Sequence, residues 1–353
     1  MRTIRNCKFE LIRIIACIFV LGCHTMWMWG SGWGFKGLDL PGLEGVYVSI
    51  IDTVFFYANP IFFMLSGKFA LQKYDYSTDS NYYVFYLKKL AYLIIPLFVY
   101  MFFISAYNLK MEAGNYSGLL RYFLLDVIAD HNLSHLWFMY VLLGNILMTP
   151  FTSQIFSNIS KGGALIFISI IFLTNCANAF SPYFFSTSFS SWVNPFVGWT
   201  MYFYLGACVD KIFTDKKSIK ILTILGVVGF IVFQLKKFNA CYLESFYFQP
   251  SFVFQVLMVY VLLSNLNLNF GEKTSNVIRF LGNQSFGIYL IHYPIVFLLR
   301  DVLLCPSWCP LFLFQFFYML VIFLVSLALN WIIDKFLFKL IQNKLEKLIP
   351  LIS

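Results

Sequence analysis

The stretch Phe9-Glu-Leu-Ile-Arg-Ile-Ile-Ala-Cys-Ile-Phe-Val-Leu-Gly-Cys-His24 decides how the rest of the chain is read. It is apolar enough and long enough to enter a hydrocarbon core about 30 Å thick, yet it carries Glu10, Arg13 and His24. Ionisable groups in such a run cost free energy and by default mark function. Arg13 and His24 are eleven residues apart, about 1100° of helical rotation, which returns within about 20° of the same stripe roughly 16 Å further along the axis. Glu10 precedes Arg13 by three positions on that stripe and is placed to pair with its guanidinium. The alternatives are an ion pair that only sets the depth of the span and a histidine bonded to a carbonyl, but neither requires a shared face.

The surroundings fit a membrane setting. Of 353 residues, 60% are hydrophobic, 12% are charged and 43 are Phe, with a mean hydropathy of +0.76. A soluble surface could not be built from that composition. The basic start, Arg2, Arg5 and Lys8, leads into a run broken by Glu10 and Arg13 with no small-residue cleavage site, so it reads as an uncleaved first span. Apolar runs predict about ten spans, near 9–29, 46–71, 89–108, 135–153, 162–179, 193–212, 218–236, 250–268, 284–304 and 310–333. Segments on one side of this pattern hold 17 Lys and Arg against six on the other, which places both termini in the cytoplasm. The six include Lys236 and Lys237, assigned to an outer loop. The net charge of +9 is then a topology signal and implies no nucleic-acid partner. The expected architecture is all-α and polytopic, one transmembrane domain over 1–353, with Gly118 to Ile128 a short helix in the outer interface.

Other polar groups sit deep or at the rim. Asp52 and Asn59 flank an aromatic run, and Pro60, Ser66 and Gly67 suggest a kink and a close helix contact. His135 opens the fourth span, His292 lies mid-membrane, and His131 falls in the outer loop. The eight cysteines lack metal-type spacing and no metal site is expected; a disulfide between Cys305 and Cys309 is left open.

Together these residues resemble acyltransferase family 3, the membrane O-acyltransferases of bacterial polysaccharide and lipopolysaccharide O-antigen. The resemblance rests on the Arg13-x10-His24 spacing, Ile61-Phe-Phe-Met-Leu-Ser-Gly67, His135-Leu-Trp-Phe138, Gly198-Trp-Thr-Met-Tyr-Phe-Tyr-Leu-Gly206 and Ser285-Phe-Gly-Ile-Tyr-Leu-Ile-His292, in the family's order along the whole chain. One place departs from the pattern: where members carry Arg-x-x-Arg before a proline, Lys89 and Tyr92 precede Pro96, which puts a bidentate phosphate contact in doubt. Lacking a C-terminal hydrolase-like domain, the chain resembles the stand-alone members.

The resemblance implies a bacterial inner-membrane enzyme with no bound cofactor. Acetyl-coenzyme A is the implied donor substrate, a nascent or lipid-linked polysaccharide the acceptor, and lipid the surroundings. Lys88, Lys89 and Arg13 would hold the donor. His24 would act as general base, oriented with Glu10 and Arg13, with a covalent acyl-histidine or acyl-serine route as the alternative to direct transfer. Ser66, Tyr289 or His292 would supply the oxyanion donor, and His135 and Trp137 would contact the acceptor. A non-enzymatic carrier or flippase for lipid-linked glycans is the competing reading, although it has no need of a base.

Overall fold

A computed structural model describes residues 6–26, 43–71, 76, 78–129, 134–185, 198–238, 246–300 and 302–347. Among these residues the secondary structure is helical, as the long apolar runs predict. His131 and Cys241 lie outside them. In chain order the helices are α1 (Cys7–Met26), α2 (Leu43–Phe55), α3 (Ala58–Ala70), α4 (Asp79–Lys89), α5 (Ile95–Ala113), α6 (Leu119–Ala129), α7 (Trp137–Leu147) and α8 (Thr149–Asn158). They continue with α9 (Lys161–Phe185), α10 (Thr200–Ile212), α11 (Lys216–Phe238), α12 (Pro250–Asn265), α13 (Glu272–Arg300), α14 (Leu311–Ile333) and α15 (Lys339–Glu346).

By length and composition, six helical stretches are able to cross a membrane among the described residues: Cys7–Met26, Gly45–Ala70, Asp79–Ala113, Lys161–Pro182, Lys216–Lys237 and Phe312–Glu346. Two further apolar helices, Trp137–Leu147 and Pro250–Asn265, are shorter. The chain is therefore a multi-pass membrane protein, helical across its described residues. Several expected boundaries move. The second run is two helices, because the chain turns at Phe56 and Tyr57 one turn before Pro60, which has no N–H to return to the Phe56 carbonyl. The third starts at Asp79 rather than Lys89. It passes through a π-helical turn at Leu90–Ile94, where the Ile95 N–H donates to the Leu90 carbonyl directly before Pro96. The fourth breaks after Leu147, ahead of Pro150. The ninth starts at Glu272, so much of the loop expected before 284 is helix.

The chain divides into two compact units, residues 1–73 with 151–283 and residues 74–150 with 284–353. In the first, α3 packs closely on α10. A side chain at Gly67 would strike the Phe203 backbone, and one at Gly206 would strike the Met64 backbone, so both glycines let two main chains approach. This explains why two of the quoted motifs end in glycine. Also in the first unit, α2 is tied to α11 by a buried polar cluster. Lys237, 2% exposed, donates to the Ser49 carbonyl at 3.0 Å and pairs with Asp52 at 3.4 Å, while Gln234 bridges Ser49 and Thr53. The outer-loop assignment of Lys237 is thus corrected: its ammonium is enclosed because Asp52 and two backbone or hydroxyl oxygens satisfy it there.

In the second unit, Tyr100 donates to the Asn330 amide oxygen at 2.6 Å and Asn330 donates to Gln284 at 2.5 Å, joining α5, α13 and α14. The expected interfacial helix is α6. It exposes Leu120, Leu124, Leu125 and Ile128 and buries Asp126, which accepts a bond from Ser105 at 2.5 Å. Cys305 and Cys309 are both free thiols.

Candidate active site

In the first unit, α1 runs unbroken from Cys7 to Met26, so the shared stripe of Arg13 and His24 is present as a helical face. Glu10 is 3% exposed and accepts from Arg13 Nη1 at 2.7 Å. The Arg13 side chain keeps about a quarter of its surface, 26%. His24 is half-buried near the C-terminal end of α1. A charged carboxylate can be buried there because its hydrogen-bonded partner is adjacent and the geometry is short.

One residue of this arrangement went unread in the sequence. A Cβ at Gly282 of α13 would overlap the Glu10 carboxylate, with the Glu10 Cβ only 2.9 Å away. The glycine provides the space in which the carboxylate stands. Its only sequence signal is one glycine among polar residues in Arg279-Phe-Leu-Gly-Asn-Gln284, which does not name a partner.

Ser66 is on α3, three residues before Phe69, whose ring meets that of Phe9 edge-on at 5.3 Å. At the other end, Phe55 contacts Phe19 at 6.0 Å and sits where a Gly22 side chain would be. Ser66 therefore stands at the Arg13 level of α1, roughly 16 Å of helix from His24. The structure thus does not bring Ser66 and His24 together.

The second unit holds the other histidines. His135, in a 3-10 turn at Ser134–Leu136, is 4% exposed, with both ring nitrogens buried. Its ring stacks on Tyr293 at 4.5 Å and meets His292 edge-on at 6.1 Å. Tyr289 donates its hydroxyl to the His135 carbonyl at 2.6 Å. That bond engages the hydroxyl proton and holds the turn. His292 Nδ1 lies 2.6 Å from the Tyr289 carbonyl, which can only accept. Nδ1 therefore carries the proton, and in the neutral ring Nε2 is the basic nitrogen. Donation from Nε2 to an oxyanion would require the ring to be doubly protonated.

Trp137 begins α7 beside Phe138, half-buried. Lys88 is exposed near the end of α4, and the Lys89 ammonium lies 5.1 Å over the Phe85 ring. Among the described residues no group of three His, Cys, Asp or Glu could hold a metal ion.

The family model described as an acyltransferase domain matches residues 8–331, nearly the whole chain. The chain belongs to acyltransferase family 3. No curated protein and no solved structure matches it. Membership makes this family 3 protein a membrane acyltransferase. The match runs through both compact units, from the helix that carries Arg13 and His24 to the one that carries Asn330.

Proposed function

We propose that the protein transfers an acetyl group from acetyl-coenzyme A to a hydroxyl of a bacterial surface polysaccharide or its lipid-linked precursor, in the cytoplasmic membrane, with both termini inside. The observation that supports this reading is the single helix α1, which carries a buried, paired Glu10–Arg13 couple toward one end and His24 on the same face three turns later. The nucleotide of the donor is too polar to cross the membrane, but its pantetheine arm is long enough to lie along roughly 16 Å of helix face. The donor is held from the cytoplasm at the Arg13 end of α1, where Ser66 also stands, and the thioester reaches the outer part of α1.

His24 then takes the proton of the sugar hydroxyl as its oxygen attacks the thioester carbonyl. The tetrahedral intermediate collapses, the C–S bond breaks, and the thiolate leaves with the electron pair and is protonated. The ester remains on the glycan. Glu10 keeps the guanidinium of Arg13 in one orientation, which matters for a planar donor meeting a phosphate or carbonyl oxygen. In the second unit, the Tyr289 hydroxyl donates to the His135 carbonyl and so holds the turn that leads into Trp137.

The test is release of free coenzyme A by purified protein in lipid nanodiscs, given acetyl-coenzyme A and acceptor glycan, alongside transfer of labelled acetyl to the glycan. Release that depends on the glycan is expected. Absence of both signals with a folded protein would overturn the reading.

A further inference from the structure

One end of the first unit gathers cations from separate helices. The Lys8 ammonium lies 5.3 Å from the centroid of the Phe9 ring and the Lys68 ammonium 4.8 Å from it, so two positive charges share one aromatic side chain. Arg13 is one turn further along α1. On α13, Ser275, Arg279 and Gly282 fall at i, i+4 and i+7, a single face. The first accepts a contact from the Cys7 thiol at 3.9 Å and the last abuts Glu10, which places Arg279 on the same side toward α1.

Among the described residues, cations at this end outnumber the carboxylates paired with them. Arg13 is paired with Glu10, and Lys68 with Asp210, whose side chain is 55% exposed. Lys8 donates to the Ser264 carbonyl at 2.5 Å, and Arg279 to the Asn276 amide oxygen at 3.3 Å, with its Nε buried and unbonded. Among the described residues, these four cations have two carboxylate partners; Glu272, exposed, lies on the Arg279 face of α13 two turns earlier. Like charges held together in a partly desolvated setting repel, and an anion that binds several of them relieves that repulsion. Guanidinium and ammonium groups around an exposed aromatic edge, here Phe69 at 40% exposure, suit phosphate oxygens flanking a planar base.

We infer that Lys8, Lys68 and Arg279 form a binding site for the phosphates of an adenine nucleotide, the 3′-phosphate and pyrophosphate of coenzyme A. This rests on the donor proposed above and moves the main phosphate contacts from Lys88 and Lys89 to the first unit. Phosphate chemistry is shared with anionic lipid headgroups, so the experiment separates the two.

Binding of coenzyme A and of 3′-dephospho-coenzyme A is measured by calorimetry on the full chain, in nanodiscs of neutral lipid and of lipid containing phosphatidylglycerol. The wild type is expected to prefer coenzyme A about tenfold, the scale of one charge-assisted contact. Lys8→Gln and Arg279→Gln are expected to weaken coenzyme A binding about tenfold and to erase the preference, and Lys8→Arg to restore it. Lys217→Gln, an exposed lysine elsewhere on the unit, serves as the control without effect. If the wild type binds coenzyme A and the Gln variants bind it equally well with the preference intact, the site is overturned while the donor reading stands. If the wild type binds no coenzyme A in either lipid, the donor reading falls with it. If the Gln variants lose binding only in the phosphatidylglycerol discs, the cluster holds headgroups and the nucleotide assignment is wrong.

Discussion

The carboxylate of Glu10 stands where a side chain at Gly282 would have to be. Two helices distant in sequence are thereby coupled: α13 makes room for a charge on α1, and that charge fixes Arg13 at 2.7 Å. Gly282→Ala should displace the carboxylate and loosen the guanidinium, and Gly282→Val should do so more severely. A shift of about 1 Å in a positioned group costs on the order of 100-fold in turnover. Acetyl transfer at matched membrane abundance is expected to fall about 10-fold for Ala and further for Val. Wild-type turnover in Gly282→Val would show that Glu10 does not position Arg13.

Arg13→Lys keeps the charge and removes the planar fork. Turnover should drop although the protein inserts normally, with Arg13→Ala no better. An unimpaired Arg13→Ala enzyme would return the residue to anchoring the depth of α1.

His24→Ala should reduce transfer by about 10²–10⁴-fold, the usual contribution of a general base, while coenzyme A still binds. His24→Gln keeps a hydrogen bond but cannot accept the proton and should be nearly as slow. Single-turnover acetyl transfer resolves this step, and high activity in His24→Gln would place the base elsewhere.

The Lys237–Asp52 pair makes a prediction about stability alone. Removing one partner of a buried pair leaves an uncompensated charge and costs about 3–5 kcal/mol, whereas replacing both by apolar residues is close to neutral. Lys237→Met and Asp52→Leu should each melt early in detergent, and the double variant should recover most of the loss. Two singles with wild-type melting would mean that the cluster contributes little to the packing of α2 on α11.

Orientation is checked by reporter fusions, which should read cytoplasmic near residues 75, 215 and 345 and external near 38, 120 and 243, as the charge bias requires. A cytoplasmic reading at 120 would invert the protein.

The stripe of Glu10, Arg13 and His24 was legible because it depends only on the 3.6-residue period of one helix, and the helical class because it depends on local apolar content. The glycines of Ile61 to Gly67 and Gly198 to Gly206 were visible as motifs, but that they face one another's backbones was not. From the sequence, Lys237 belongs in a loop, since a lysine at the edge of an apolar run usually does. Its burial follows from Asp52, 185 positions away in the chain.

What the sequence determined by itself, then, is what short-range physics fixes: an all-helical membrane chain, the face on which its first helix carries charge, and the family to which those motifs belong. The tertiary structure alone decided which groups still have chemistry to offer. It engaged the Tyr289 hydroxyl on the His135 carbonyl, stationed Ser66 at the Arg13 end of α1, and brought Gly282 to Glu10 and Lys68 to Phe9. Each of these turns on distances between side chains far apart in sequence. Such distances are set by how helices pack, and no periodicity within a single helix encodes them.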